Sequence, residues 1–278
     1  MRRHNMFVVT GATGNVGGHV VKELVEAGAE VVGLTRDPEA ARLPEGVRAA
    51  RTEELPLEGA TGLFLNPAVV WQLGADPLLT RARECGVRRI VMLSSSSVLD
   101  AGPDNPIGTR HLGLERAIEG SGLEWTFVRP GAFAANAMQW ADQIKAGDVV
   151  YGPYAEAQTA PIHEADMGAV AARALLDDAL VGQAPVLSGP ESLTFADQVR
   201  IIGEAIGRPL RYEELPREVA RERMLSGHLT PDIADSLLNM FAGCVGRPAE
   251  ISQETERVTG RPGRTFARWA EDHVAAFR

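Results

Sequence analysis

The chain has 278 residues, 45% hydrophobic and 23% charged, enough apolar material for a full core in one or two α/β units. Lys and Arg total 28 against 37 Asp and Glu, and the net charge of -9 argues against a surface built for nucleic acid or anionic membrane. No run approaches the ~20 apolar residues of a membrane span, and Cys85 and Cys244 are too few for a disulfide framework, so a reducing cytoplasm is the expected compartment.

Arg2-Arg3 precedes an apolar run that Thr10-Gly11 interrupts too early for a twin-arginine leader; a charged end before the first strand is expected. Met6–Thr10 is a compact apolar run that predicts a buried strand. Val16, Val20, Val21, Leu24 and Val25 then recur at helical spacing until Gly28, a natural helix stop. Further strands are predicted over Glu30–Thr35, Val47–Arg51, Thr61–Asn66, Val87–Leu93 and Glu124–Arg129. Helices are predicted over Pro77–Cys85 and from about Thr109 to Glu119. Strands alternating with helices predict right-handed crossovers and a doubly wound parallel sheet.

From Gly131 the rhythm loosens. Helices are predicted over Ala134–Ala146 and His163–Asp178, a short strand over Asp148–Tyr151, and a return to the main sheet at Ala184–Leu187. From Thr194 the chain reads as helices broken at Gly207-Arg208-Pro209 and Gly246-Arg247-Pro248. The expected division is residues 1–155 for the nucleotide-binding part and 156–278 for a smaller, mainly helical region capping the cleft, the two interleaved on the main sheet.

Between the first strand and first helix lies "TGATGNVGG", with Gly11, Gly14 and Gly17 in G-x-x-G-x-x-G spacing. A strand, a glycine turn and a helix N-terminus form a ready phosphate cradle, because uncapped N–H groups and the helix dipole face the anion. Gly11, Thr13, Gly14, Asn15, Val16 and Gly17 are therefore the candidate pyrophosphate residues. The second strand ends Leu34-Thr35-Arg36-Asp37. Arg36 suits a 2′-phosphate and favours NADP(H) over NAD(H), while Asp37 either salt-bridges Arg36 or contacts the ribose.

The blocks "VTGATGNVGGHVV", "GLTRDP", "GVRRIVMLSSSS", "SGLEWTFVRPGAFAAN" and "PIHEADMGAVAARAL" resemble the NmrA-like branch of atypical short-chain dehydrogenases/reductases over almost the whole chain. That branch includes NADPH:quinone and azo reductases, ergot-alkaloid iminium reductases and redox-sensing regulators. The resemblance implies a Rossmann domain holding NADP(H). It implies cofactor contacts from Asn66 and Pro67, and from Pro130 and Phe133 along the nicotinamide. Ser94 and Ser95 are candidates for the cofactor ribose, and Ser96 for a substrate carbonyl.

The Y-x-x-x-K pair of typical short-chain dehydrogenases is absent: the two lysines, Lys22 and Lys145, are preceded four residues earlier by Gly18 and Ala141. In the corresponding window His111 and Glu115 stand at i and i+4, either an acid/base pair or an incidental surface pair. No further ligand cluster suggests a metal, and no G-x-S-x-G suggests a hydrolase. Phe133, Asn136, Met138 and Trp140 either line a flat pocket or pack a helix; His163 is expected to bridge sheet and C-terminal region; Tyr151 and Tyr154 are weaker proton-donor candidates. The expected function is NADPH-dependent hydride transfer to a quinone, iminium, enone or azo compound. A nucleotide-sensing regulator and a non-redox isomerase or cyclase are the alternatives. A monomer or homodimer acting on a small molecule is expected.

Overall fold

The computed structural model describes residues 5–227 and 229–278; Arg2-Arg3 lie outside them. In chain order the elements are β1 (Met6–Thr10), α1 (Asn15–Glu26), β2 (Glu30–Thr35), β3 (Arg48–Arg51), β4 (Ala60–Leu65), α2 (Pro67–Leu73), α3 (Ala75–Glu84), β5 (Arg89–Leu93), α4 (Pro106–Glu119) and β6 (Glu124–Pro130). There follow α5 (Ala141–Ala146), β7 (Val149–Gly152), β8 (Gln158–Thr159), α6 (Glu164–Leu176), β9 (Val186–Leu187), β10 (Leu193–Thr194), α7 (Phe195–Ile206) and β11 (Arg211–Glu214). The chain closes with α8 (Arg217–Ser226), α9 (Pro231–Gly243), α10 (Glu254–Thr259), α11 (Phe266–Asp272) and α12 (Val274–Phe277).

Seven parallel strands run in the order β3-β2-β1-β4-β5-β6-β9. This is a Rossmann sheet, whose order reverses between β1 and β4 and opens its cleft at their carboxyl ends. The strands β1 and β5 are buried at every position, as a sheet covered on both faces requires. One face packs Leu78, Leu79, Leu114 and Ile118 from α3 and α4. The other packs Val20 and Leu24 of α1 and Met167, Val170 and Ala174 of α6. The helices α1 and α6 touch so closely that a Cβ on Gly168 would stand 2.4 Å from the His19 Cβ. Buried Arg89 of β5 donates to the carbonyls of Ala174, Leu175 and Asp177, satisfying the C-terminal end of α6.

A third core, built on Trp140, Ile144, Val150, Ile202, Phe266 and Trp269, holds the mainly helical C-terminal region. The 155/156 division falls between β7 and β8, while α6 and β9, beyond it, lie on the large sheet. Three local expectations change. Residues Ala134–Trp140 form a 3₁₀ segment before the true helix α5, because the backbone of Ala132 and Ala134 is tied to Ile162 on both sides. Helix α2 was not expected; Asn66 caps it and Pro67 occupies its first turn. The C-terminal region also contains strand pairs, β11 parallel to β7 and β10 antiparallel to β8. No helix among the described residues is long and apolar enough to cross a membrane.

Candidate cofactor and active site

Gly11 has φ +63°, and its carbonyl accepts the Gly14 N–H at 2.9 Å, which closes the turn after β1. A Cβ on Gly17 would stand 2.2 Å from that carbonyl oxygen, so only glycine lets α1 pack this close to the turn. Gly14 is the N-cap of α1 and offers no side-chain cap. The first N–H groups of α1 thus point into the cleft without a side-chain acceptor, which is the arrangement that binds an anion. Thr13, Gly14 and Asn15 are exposed there, whereas the Val16 side chain is buried and offers only its backbone. This uncapped cradle fits a dinucleotide pyrophosphate.

At the tip of β2, Arg36 is exposed and, among the described residues, makes no ion pair. Asp37 does not pair with it: its Oδ1 accepts the Ala40 N–H at 3.3 Å. Arg51, opposite Thr35 in the sheet register, donates to the Arg36 carbonyl at 3.2 Å and brings a second guanidinium to the same corner. Sequence reading missed Arg51, because only strand pairing sets it beside Arg36.

At the other end of the cleft, the Thr10 hydroxyl bonds the Phe64 carbonyl and the Asn66 N–H, locking the carboxyl ends of β1 and β4 together. The Asn66 side chain accepts from the Ala68 N–H, and Pro67 is buried. Pro130 is buried and paired with Leu187 at the end of β6; Phe133 is half-buried and bridges to Ile162. Ser95 caps the 3₁₀ turn Ser96–Asp100, accepting from the Ser97 N–H. The Ser96 hydroxyl faces Gly131 across the cleft floor, 3.8 Å from where a Cβ would sit, and has no protein hydrogen-bond partner among the described residues.

Two expectations are corrected here. Glu115 is 1% exposed and is not paired with His111. Its carboxylate accepts two bonds from Arg129, at 2.9 and 2.6 Å, and one from the Ser94 hydroxyl at 2.5 Å. With three charge-assisted or hydroxyl donors on its two oxygens, it clamps β5, α4 and β6 together. Ser94, 3% exposed, has its hydroxyl donated into this clamp. Four helical residues advance the chain by about 400°, and the extra 40° carries Glu115 inward while His111 stays at the rim.

His111 is half-buried, and its Nδ1 bonds the Ile107 carbonyl at 2.8 Å. That bond puts the hydrogen of the neutral ring on Nδ1 and leaves Nε2 as the open position. The ring stands edge-on to Trp71 at 5.6 Å, and Arg110 lies 4.3 Å over that same indole. Trp71 is 49% exposed, a large apolar surface beside His111 that sequence reading did not single out. His163 caps α6, accepting the Ala165 N–H at 3.1 Å, and its Nε2 lies 3.4 Å from Asp272 of α11. The Tyr154 hydroxyl accepts from Arg217, and Tyr151 lies at a second cavity farther along the chain. No cluster of three metal-ligating side chains exists among the described residues.

The family model described as NAD(P)H-binding matches residues 11–178. The NAD(P)H azoreductase of Xenophilus azovorans is 34% identical over 98% of this chain and 99% of its own. The (4-alkanoyl-5-oxo-2,5-dihydrofuran-3-yl)methyl phosphate reductase of Streptomyces griseus is 32% identical over 98% and 99%. The NADPH complex of an NADPH-dependent quinone oxidoreductase from Escherichia coli superposes with a TM-score of 0.78 at 22% identity, covering 96% of this chain and 99% of the other. With the glycine cradle and the reversed sheet order already in place, these matches show that the chain belongs to the NAD(P)H-binding family.

Proposed function

We propose that the protein is an NADPH-dependent reductase of small electron-poor organic acceptors: quinones, iminium ions, enones or azo compounds. The observation that carries this reading is the pairing of a complete nucleotide cradle with a cleft whose buried carboxylate is engaged in a clamp. The azoreductase and phosphate-ester reductase relatives act on acceptors of this kind by their names.

Bound NADPH supplies hydride from its nicotinamide. The chain supplies position. The N–H groups of Asn15, Val16 and Gly17 take the pyrophosphate, with Gly11, Thr13 and Gly14 shaping the turn, whose Gly14 N–H is held by the Gly11 carbonyl. Arg36, assisted by Arg51, takes the 2′-phosphate and selects NADP(H) over NAD(H). Asn66, Pro67, Ser95, Pro130 and Phe133 frame the nicotinamide end. The Ser96 hydroxyl donates to the acceptor atom that gains electron density, and His111 Nε2 carries a proton from water to the reduced product. Quinones and iminium ions need no strong acid, which suits a site without the Tyr–Lys pair.

The test is a panel of quinones, azo dyes and cyclic imines with NADPH, followed at 340 nm for the reduced nicotinamide. Turnover by the wild type and at least ten-fold slower turnover by His111→Ala, at unchanged NADPH affinity, is the expected result. Tight NADP⁺ binding with no turnover across the panel would instead make the protein a nucleotide sensor.

A further inference from the structure

Beyond the cofactor cleft, the Ala134–Trp140 turn, α5, β7, β11, α8 and α9 enclose a cavity of about 360 Å³. That volume suits a small organic ligand. Its walls are aromatic. Trp140 meets Phe195 and Tyr212 at 6.0 Å between ring centroids, and Phe195 meets Phe241 at 5.0 Å, all close to edge-on. Leu215, Met224 and Leu229 add apolar side chains, beside the polar Gln139, Gln143 and Arg223.

Several polar groups in the wall are engaged within the protein, Gln139 among them, which donates to the Asn136 carbonyl. The Tyr212 hydroxyl donates to the Pro153 carbonyl, and burial pushes its pKa up, so it stays neutral. Gln143 both donates to and accepts from the Tyr151 backbone. On α8, Arg221 is paired with Asp235, and Arg217 donates to Tyr154 and Asn239. Arg223 lines the cavity, stands 5.7 Å over the Tyr151 ring and, among the described residues, has no ion-pair partner. In a chain of net charge -9, an unpaired guanidinium over an aromatic pocket marks a place for an anion.

We propose that this cavity is the distal subsite for the acceptor and takes a planar aromatic group bearing a carboxylate or sulfonate, with the rings against Trp140 and Phe241 and the anion on Arg223. The Ala134–Trp140 turn connects it to Phe133 at the nicotinamide end. Seven residues at about 2.0 Å rise set the two ends roughly 14 Å apart. The favoured acceptor is therefore elongated, reducible at one end and anionic at the other. Its role as an acceptor subsite rests on the reductase reading above; the binding of an aromatic anion does not.

The experiment is calorimetric titration of the full chain, with NADPH present, using 2-naphthoate and its neutral counterpart 2-naphthalenemethanol. Wild type binds both, naphthoate the more tightly, and naphthoate inhibits turnover competitively against the acceptor. Arg223→Gln weakens naphthoate about ten-fold and leaves the neutral compound unchanged. Leu229→Trp fills the cavity mouth and weakens both. Arg223 and Leu229 are exposed, so unchanged NADPH affinity and melting temperature show that each variant is folded. Equal loss of both compounds in Arg223→Gln, or no binding of either, overturns the anion site. Naphthoate binding that does not compete with the acceptor overturns its place as a subsite. Selective naphthoate binding without turnover of any acceptor sinks the reductase reading and leaves the anion site standing.

Discussion

Gly17→Ala is the sharpest probe of the nucleotide cradle. The new methyl would lie 2.2 Å from the Gly11 carbonyl oxygen, 2.8 Å from its carbon and 3.1 Å from the Thr10 oxygen, all backbone atoms that cannot rotate away. Ordinary contact begins near 3.4 Å, so turn and helix must separate by about 1 Å. Alanine in a helix interior gains about 1 kcal/mol over glycine. Overpacking costs about 1–3 kcal/mol, and a clash with backbone falls at the upper end, so a net loss near 2 kcal/mol is expected. That lowers Tm by about 5 °C in a chain of this length. The same displacement takes the first N–H groups of α1 off the phosphates. Losing one hydrogen bond to a charged group removes about 1.5–3 kcal/mol, a ten- to hundred-fold rise in Kd. Fluorescence titration with NADPH and a melting curve measure both. Gly18→Ala is the internal control, because its Cβ meets nothing nearer than the Ala12 carbonyl at 3.6 Å. If Gly17→Ala binds NADPH as tightly as Gly18→Ala does, the cradle is not where the pyrophosphate sits.

Arg36→Ala should weaken NADPH ten-fold or more while barely changing NADH, and Arg51→Ala should do the same to a smaller degree; equal losses for both nucleotides in a titration would remove the 2′-phosphate assignment. Glu115→Ala leaves Arg129 and Ser94 facing an empty acceptor and should destabilise the fold by about 3–5 kcal/mol in urea denaturation. A loss under about 1 kcal/mol would contradict its role as a clamp. Burial holds the pKa of His19 below 6.5, against a raising effect from Glu164 and lowering ones from His163, Arg264 and Lys22. The unfolded chain then takes up this proton first, so stability falls as pH drops below about 6.5, by at most about 1.4 kcal/mol per pH unit. His19→Asn should flatten that slope between pH 7.5 and 5.5, and identical slopes in both proteins would count against it.

The parts of the fold legible in the sequence were those written in local pattern. β1 and β2 are continuous apolar runs, and their limits, Met6–Thr10 and Glu30–Thr35, coincide with expectation. The glycine turn was legible because its spacing carries its own geometry. What escaped was set by partners distant in sequence. β11 is a charged tetrapeptide, Arg-Tyr-Glu-Glu, and becomes a strand only because β7 lies sixty residues upstream to receive it. Arg51 became interesting only through its register with Thr35. Glu115 read as a partner of His111, acid/base or incidental, because periodicity shows which residues are neighbours on a helix but not where the buried face ends.

The passage of the chain back and forth between the large sheet and the C-terminal region has a practical consequence for anyone reshaping this protein. A cut at 155/156 would strip α6 from one sheet face and leave the β6 edge bare, a recipe for aggregation in either fragment. The walls around Trp140 and Phe241 come from two stretches, one before α6 and one after β9, that meet through the β7–β11 pair, through Trp140 against Phe195 and Tyr212, and through Arg217 on Tyr154. Transplanting acceptor preference from one relative to another therefore calls for two simultaneous grafts, roughly 134–153 and 195–243, with α6 and β9 left in place on the large sheet.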